Sequence, residues 1–218
     1  MSLPFTPVKP ASARTVLLTA ALLAGAHLAA AQAGTATAPA APATAPATDA
    51  PAVYLIDPAH THIQWEVRHF GTSTSRGRFD DISGHVTLER AAQRGEAAIT
   101  IGTASINSGV APLDTILRSH SFFDVKNYPQ AYFVASRFRF ADGQPVELRG
   151  ELTLHGVSQP VSLRAASFNC YEHPVLKREV CGGDFEAEFS RSGFNITYGL
   201  PVVGDTVKLQ IGIEAIRQ

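Results

Sequence analysis

Apolar and polar residues alternate with a period of two along most of the chain after residue 52. In residues 62–68, Ile63, Trp65 and Val67 fall on one face and polar side chains fall on the other. Because successive side chains of a β-strand point to opposite faces, this alternation predicts strands with one buried face. The same rhythm recurs in residues 99–101, 134–140, 146–154, 161–165, 185–189 and 207–215. Turn signals separate these segments, so the sequence predicts about eight antiparallel strands.

Eight antiparallel strands with a single apolar face can form a sandwich or a closed barrel. We favour the barrel, because closure removes the unpaired strand edges through which sheets aggregate. Gly71, Gly77, Gly102 and Gly150 stand inside strand-like segments, where glycine marks a bend or a close approach and would let the barrel elongate. The predicted fold class is therefore all-β, an extended eight-stranded antiparallel β-barrel. Such a barrel either fills its interior with side chains or holds one small ligand.

One stretch departs from the alternation. Residues 112–118 carry apolar side chains at helical spacing, with Pro112 suited to a first helical turn and Asp114 close to the positive helix end. A second short helix is predicted at residues 121–125, with Ser121 as its N-cap and Asp124 reaching back to it. The barrel is therefore expected to carry one or two short helices.

The first 52 residues differ in composition from the rest. Lys9 and Arg14 precede an apolar stretch at residues 16–31 that ends in small residues, which predicts a signal peptide over residues 1–33. The alternative, a retained membrane anchor, would need about 20 apolar residues to cross a bilayer. Residues 34–52 are dominated by Ala, Pro and Thr and predict a disordered linker. We therefore expect a periplasmic or secreted protein whose folded domain is residues 53–218.

The charge balance and the absence of catalytic motifs narrow the function. The chain has 18 basic and 19 acidic side chains, and Lys9 and Arg14 are the basic residues of the predicted leader, so 16 basic side chains remain after its removal. This acidic balance offers a nucleic acid no general attraction. The sequence contains no GxSxG, no HExxH and no glycine-rich phosphate loop. We therefore expect a protein that is not an enzyme and needs no cofactor.

Two cysteines, Cys170 and Cys181, are separated by ten residues. In an oxidising compartment a hairpin could bring them together, so we favour a disulfide between them. Two unpaired thiols too far apart to bond remain an alternative, and so does a metal pair, although no CxxC motif accompanies them.

Five short motifs follow one another across residues 53–218. They are Tyr54-x-x-Asp57-x-x-His60; His69-x-Gly71 leading to Gly77-x-Phe79; Ser119-x-x-Phe122-Phe123-Asp124 with Tyr128-Pro129; Gly150-x-Leu152-Thr153-Leu154-x-Gly156-Val157 with Pro160-Val161; and Arg191-Ser192-x-Phe194. Together these motifs resemble the YceI-like polyisoprenoid-binding proteins. The resemblance implies a lipocalin-like barrel that holds a polyisoprenoid or another long amphiphile. It also implies export to the periplasm, as in many members, and allows transient membrane contact; the oligomeric state stays open.

This chain departs from the family pattern at two places. Residues 113–118, Leu-Asp-Thr-Ile-Leu-Arg, lack one Arg and one His that the family commonly shows there, but they keep Arg118. The segment from Cys170 to Cys181 is an elaboration that the pattern does not explain. Arg118 is therefore a candidate for holding a ligand head group, whereas the two missing side chains are not replaced.

The candidate ligand-binding residues are of two kinds. Apolar residues of the alternating segments and of the family motifs would line the bore: Ile63, Trp65, Val67, Phe79, Phe122, Phe123, Phe138, Leu152, Leu154, Phe189 and Leu209. His60, His69 and Arg118 would hold a polar head group near the mouth. Alternatively, the apolar side chains simply fill the barrel, and the protein is a ligand-free interaction module.

A histidine cluster offers competing chemistry. His60 and His62 are two residues apart, so on a strand both rings would point to one face, as some zinc enzymes place two ligands. His69, His85 or His120 would supply a third ligand to a metal-bound hydroxide. The second functional hypothesis is therefore a metal-dependent enzyme.

Overall fold

The computed structural model describes residues 51–218, and the predicted signal peptide and nearly all of the predicted linker lie outside them. The strands are β1 Ala52–Ile56, β2 His62–His69, β3 Ser73–Phe79, β4 Ile82–Glu89, β5 Arg94–Gly102, β6 Gln130–Ala141, β7 Gln144–Leu154, β8 Val157–Ala165, β9 Asn169–Glu172, β10 Glu179–Ser190 and β11 Val203–Arg217. The first strand begins at Ala52, one residue before the predicted domain boundary, and Ala52 is buried opposite Leu88.

Eight of these strands close into an antiparallel barrel, as predicted. The ring runs β11–β1–β4–β5–β6–β7–β8–β10 and returns to β11, because β10 and β11 pair along eleven residues. The remaining strands extend it: β2 pairs with β11 between Val203 and Gly212, β3 pairs with β2, and β9 pairs with β10. The alternation seen in the sequence becomes an inward apolar face that forms one continuous core.

Three long strands of the barrel are interrupted, which explains why eleven strand segments make an eight-stranded barrel. β1 and β2 follow one another along the same edge of β11, and β4 and β3 follow one another along β1 and β2. β8 and β9 follow one another along the same edge of β10. The first interruption is a turn in which the Asp57 carboxylate accepts hydrogen bonds from the Ala59 N–H at 2.9 Å and from Nδ1 of His60 at 2.8 Å. These breaks let the barrel bend and lengthen.

Residues 103–129 leave the sheet and cross one end of the barrel. Thr103 ties the two ends of this segment together: its N–H donates to the Pro129 carbonyl at 3.0 Å and its hydroxyl donates to the Tyr128 carbonyl at 2.7 Å. The segment contains a 3₁₀ turn, Thr103–Ser105, and the helix α1, Ala111–Arg118. The first predicted helix is therefore present.

The second predicted helix does not form. Residues 121–123 form hydrogen-bonded turns, and Ser121 does not act as an N-cap. Asp124 has a φ of 44°, a left-handed conformation in which a right-handed helix cannot continue. Its backbone N–H instead returns to the Ser119 carbonyl at 2.9 Å.

The predicted disulfide is present. Cys170 of β9 and Cys181 of β10 are directly opposite one another and bonded, and both are buried. The bond fixes the base of a hairpin whose tip, residues 173–178, protrudes from the barrel end opposite to α1. No helix within residues 51–218 is long and apolar enough to span a bilayer.

Candidate functional site

The barrel encloses an apolar cavity of about 340 Å³. Ligand pockets in proteins range from about 300 to 1,000 Å³, so this volume is sufficient for part of a long ligand. Side chains of β2 to β8, β10 and β11 form its wall, and α1 contributes Leu113, Ile116 and Leu117. The barrel interior is therefore hollow at the end that residues 103–129 cross.

The cavity opens to solvent between three segments. Most of its lining is buried, but His69 of β2, Ile116 of α1 and Tyr198 of the connection between β10 and β11 are exposed as well as lining the cavity. These three residues define the mouth. A ligand can enter there without passing through the hydrogen-bonded wall of the barrel.

Arg191 is the one permanently charged residue that lines the cavity within residues 51–218. Its guanidinium donates to the backbone carbonyls of Ile196, Tyr198, Val203 and Gly204 at 2.8 to 3.0 Å. Burial lowers the pKa of Arg191, although guanidinium groups remain protonated in proteins. Arg191 therefore holds the mouth segment in place and puts a positive charge beside an otherwise apolar chamber.

The Arg191 charge is also stabilised by an aromatic ring. Its guanidinium carbon lies 5.9 Å from the centre of the Phe122 ring, within the range of a cation–π interaction. The nearby Asp205 carboxylate accepts from the backbone N–H and the hydroxyl of Ser192, at 2.8 Å each. These Ser192 hydrogen bonds, together with one from Ser190 and the charge of Arg191, hold the pKa of Asp205 below its usual value despite the opposing effect of its burial.

Trp65 is the single tryptophan of the chain and lines the cavity. Its indole N–H is buried and has no hydrogen-bond partner among the described residues. A buried donor without an acceptor is uncommon and costs free energy. The indole therefore combines an unsatisfied polar group with a position that makes its fluorescence sensitive to the cavity's contents.

A second cavity, of about 60 Å³, lies deeper in the barrel. The two cavities share part of their lining, namely Ile99, Phe133, Leu163, Ile211 and Ile213. The shared side chains form a partition across the bore. Movement of these side chains would join the two chambers and lengthen the space available to a chain-like ligand.

Eleven of the fourteen predicted ligand-binding residues line the main cavity: Ile63, Trp65, Val67, His69, Phe79, Phe122, Phe123, Leu152, Leu154, Phe189 and Leu209. Phe138 faces inward but lines the second cavity. Contact between any of these side chains and a ligand stays a prediction.

The other two predicted residues lie away from the cavity. His60 is exposed in the β1–β2 turn, and its hydrogen bond with the Asp57 carboxylate raises the pKa of its ring. Arg118 is engaged by backbone, since Nε donates to the Ala104 carbonyl at 2.9 Å and Nη2 to the Ile106 carbonyl at 2.6 Å. The structure thus gives Arg118 the task of fixing α1 to the 3₁₀ turn.

The histidine hypothesis finds no matching geometry. Within residues 51–218, the one group of three potential ligand atoms close enough to share a metal is Cys170, Glu179 and Cys181, and both cysteines are in the disulfide. The imidazole of His62 packs against Gly212, while His60 pairs with Asp57. No third histidine joins them in the described part of the chain.

The prediction from sequence missed Arg191 and Tyr198 as site residues. The Arg191-Ser192-x-Phe194 motif is visible in the sequence, but nothing in its spacing indicates that the Arg191 guanidinium lines the cavity. An arginine directly after an inward-facing strand was the available signal, because β10 delivers it at the barrel end.

Residues 54–215 match the family model of the YceI-like domain. The chain belongs to the YceI-like family. Among its YceI-like relatives is a UPF0312 protein of Pseudomonas putida, which is 32% identical over 170 residues, 77% of this chain and 88% of the relative.

Solved structures share this YceI-like fold. The crystal structure of Burkholderia cenocepacia BcnA has a TM-score of 0.60 and 25% identity, covering 73% of this chain and 99% of BcnA. A polyisoprenoid binding domain from Saccharophagus degradans, implicated in plant cell wall breakdown, has a TM-score of 0.54 and 18% identity, covering 76% and 98% of the two chains. At that identity the second likeness concerns the fold alone.

Proposed function

We propose that this YceI-like protein is an exported, non-enzymatic carrier that holds the tail of an isoprenoid lipid, such as a quinone or a polyprenyl phosphate, in its barrel. The observation that carries the proposal is the open apolar cavity of about 340 Å³ with one buried guanidinium in its wall. An apolar tail fits the chamber, and a polar head group would remain at the mouth near Arg191 and His69.

The energetics of tail burial support the proposal. Each buried CH₂ contributes about 0.8 kcal/mol, so a few isoprene units outweigh the cost of association and give micromolar affinity or better. An engineered apolar cavity of about 150 Å³ in another protein holds benzene, so a chamber roughly twice that size takes only a short length of prenyl chain. The deeper cavity of about 60 Å³ offers room for more.

One solved structure of the same fold is consistent with this class of ligand. The Saccharophagus degradans neighbour is described as a polyisoprenoid binding domain, and its fold matches this barrel. We extend that ligand class to this chain because the cavity here is apolar and adjoins a second, smaller chamber across a shared partition. Export is proposed from the N-terminal sequence pattern.

We assign binding and no catalysis to the cavity. Its lining includes one serine and one histidine, Ser75 and His69, but no hydrogen bond joins them among the described residues. A nucleophile needs an adjacent base within hydrogen-bond reach, and the absence of a Ser75–His69 hydrogen bond in the lining supports this assignment.

Fluorescence of Trp65 tests this function. Farnesol, a short prenyl alcohol, should change the emission of the single tryptophan in a saturable manner. Val67→Phe, which adds a ring inside the cavity, should weaken this binding by about fivefold to about 150-fold, because an overfilled interior costs about 1 to 3 kcal/mol. Val134→Phe is the matched control, since Val134 is an exposed valine on the outer face of β6. Equal effects of the two variants, or no response to farnesol, would overturn the proposal.

A further inference from the structure

Four large apolar side chains lie in solvent at the mouth of the cavity. Phe70 is 62% exposed, Tyr198 60%, Ile116 47% and Val202 46%. They come from three different segments: the β2–β3 hairpin tip, α1 and the connection between β10 and β11. We call these four residues the mouth face.

The mouth face is continuous with the cavity. The Phe70 N–H donates to the Val202 carbonyl at 2.6 Å, which joins the hairpin tip to the β10–β11 connection. The Tyr198 ring packs edge-on against the Phe122 ring, with 5.5 Å between their centres. Tyr198 and Ile116 also line the cavity. An apolar path therefore leads from the outer surface into the chamber.

Phe70 is unfavourable for the isolated protein in two ways. Its φ of 50° is left-handed, a conformation that favours glycine or asparagine and is costly for a bulky side chain. Its side chain also stays mostly in water, so it returns little burial energy to the fold. An aromatic residue held at such a position indicates a role in contacting something outside the molecule.

The charges around the mouth favour a lipid surface. Arg68 lies near the end of β2, two residues before Phe70. Its guanidinium donates hydrogen bonds to the Gly71 carbonyl and to the Thr74 hydroxyl, and it forms no ion pair with a described carboxylate. Two nearby carboxylates accept hydrogen bonds from serines of the protein: Asp205 from Ser192, and Asp114 from Ser108. Aromatic and aliphatic side chains beside an arginine that pairs with no described carboxylate suit the boundary of a bilayer with anionic head groups.

We propose that the mouth face docks on a lipid bilayer, so that a prenyl tail passes between membrane and cavity without crossing water. This inference rests on the proposed carrier function. Each CH₂ exposed to water during transfer adds to the free-energy cost, which makes passage of a long tail through free solvent very slow. Docking removes that barrier by placing the cavity opening against the acyl chains.

Sedimentation with vesicles of phosphatidylethanolamine and phosphatidylglycerol tests the docking. The test variant is Phe70→Asp combined with Val202→Asp; neither residue lines the cavity, and aspartate tolerates a positive φ. The matched control is Val175→Asp combined with Leu176→Asp in the β9–β10 hairpin at the opposite end, where the two side chains are 80% and 46% exposed. Both carry the same added charge and the same N-terminal residues, so any contribution of residues 1–50 is common to them.

We expect the wild type and the control to sediment with vesicles and the test variant to lose vesicle binding by at least about tenfold. All three should bind farnesol in solution with the same Trp65 response. Wild type that binds farnesol but stays in the supernatant would overturn the docking and leave the carrier function standing. Equal loss of vesicle binding in the test and control variants would also overturn the docking. So would a wild-type dimer that buries the mouth face and that the test variant converts to monomer. Failure to bind farnesol would refute the carrier function itself.

Discussion

The indole ring of Trp65 on β2 lies directly against Gly77 on β3, its register partner. A Cβ at position 77 would overlap two carbons of the indole and would also approach the Asn107 carbonyl closely. The cavity wall thus depends on a missing side chain, because Gly77 leaves the space in which the only tryptophan lies. This contact gives the close approach that glycine inside a strand indicates.

Gly77→Ala should push the indole towards the chamber. We expect the free energy of unfolding to fall by about 1 to 3 kcal/mol, as for other overpacked sites, and farnesol binding to weaken. Gly193→Ala is the control, because no atom lies within 4 Å of a Cβ placed there. Urea unfolding and Trp65 emission measure both effects, and a stability equal to that of the control would contradict this contact.

Arg191→Lys should loosen the mouth. Lysine keeps the positive charge but cannot reach four carbonyls at once, so we expect a loss of about 2 to 4 kcal/mol from hydrogen bonds made by a charged group. Hydrogen exchange should rise in residues 195–204. Arg137→Lys, at an exposed position of β6, is the control and should change neither the free energy of unfolding nor the hydrogen exchange of residues 195–204. An unaltered exchange rate in the Arg191 variant would remove its role at the mouth.

We expect ionisation of Tyr54 to lower the free energy of unfolding at alkaline pH. Its hydroxyl donates to Glu179 at 3.0 Å, and burial, with the Glu179 charge, raises the pKa of Tyr54 to about 12. Since the folded pKa exceeds the unfolded value near 10, the stabilisation is complete below pH 10 and is lost as pH rises towards 12. Tyr54 should therefore contribute about 2 kcal/mol that disappears across this window.

Comparison of Tyr54→Phe with the wild type measures this contribution. The variant should be less stable at pH 8, and the difference should shrink above pH 10. Tyr132→Phe, which removes an exposed hydroxyl on β6, serves as the control. A difference that stays constant from pH 8 to pH 12 would show that Tyr54 does not titrate in this way.

His60 should report on Asp57 and not on the ligand. The Asp57 carboxylate raises the pKa of the His60 ring, so the stabilisation by this pair is present below the ordinary histidine pKa and is lost as pH rises through the folded value. Asp57→Asn should lower the pKa of His60 in an NMR titration. Loading with farnesol should leave the titration of His60 unchanged and shift the NMR signals of His69 at the mouth. A change in the His60 signals on loading would show that His60 is part of the ligand site.

The barrel was predictable because its cause is local. The alternation that places Ile63, Trp65 and Val67 on one face is the same one that fills the core, and closure follows from the cost of free strand edges. The turn between β1 and β2 is local as well, because Asp57-Pro58 indicates a turn before His60 and the Asp57 carboxylate closes it through hydrogen bonds to residues two and three positions later. That β1 and β2 share one edge of β11 was not predictable, since it depends on pairing between residues distant in sequence.

The sequence predicted which side chains face the barrel interior, but not which of the two cavities each of them lines. Alternation shows that Phe138 points inward, but not that it lies beside the smaller, deeper cavity. Which arginine reaches the lining depends on how residues 103–129 and 195–202 fold over the barrel end, and the strand pattern carries no information on those segments. Arg118 was therefore assigned to the site, while Arg191 supplies the charge there.

Native mass spectrometry of the protein after gentle purification tests the occupied cavity most directly. We predict an adduct of one lipid per chain, identified as prenyl after organic extraction, and its absence from Val67→Phe but not from Val134→Phe. Protein that is empty as purified and takes up no prenyl lipid when this is added would contradict the account.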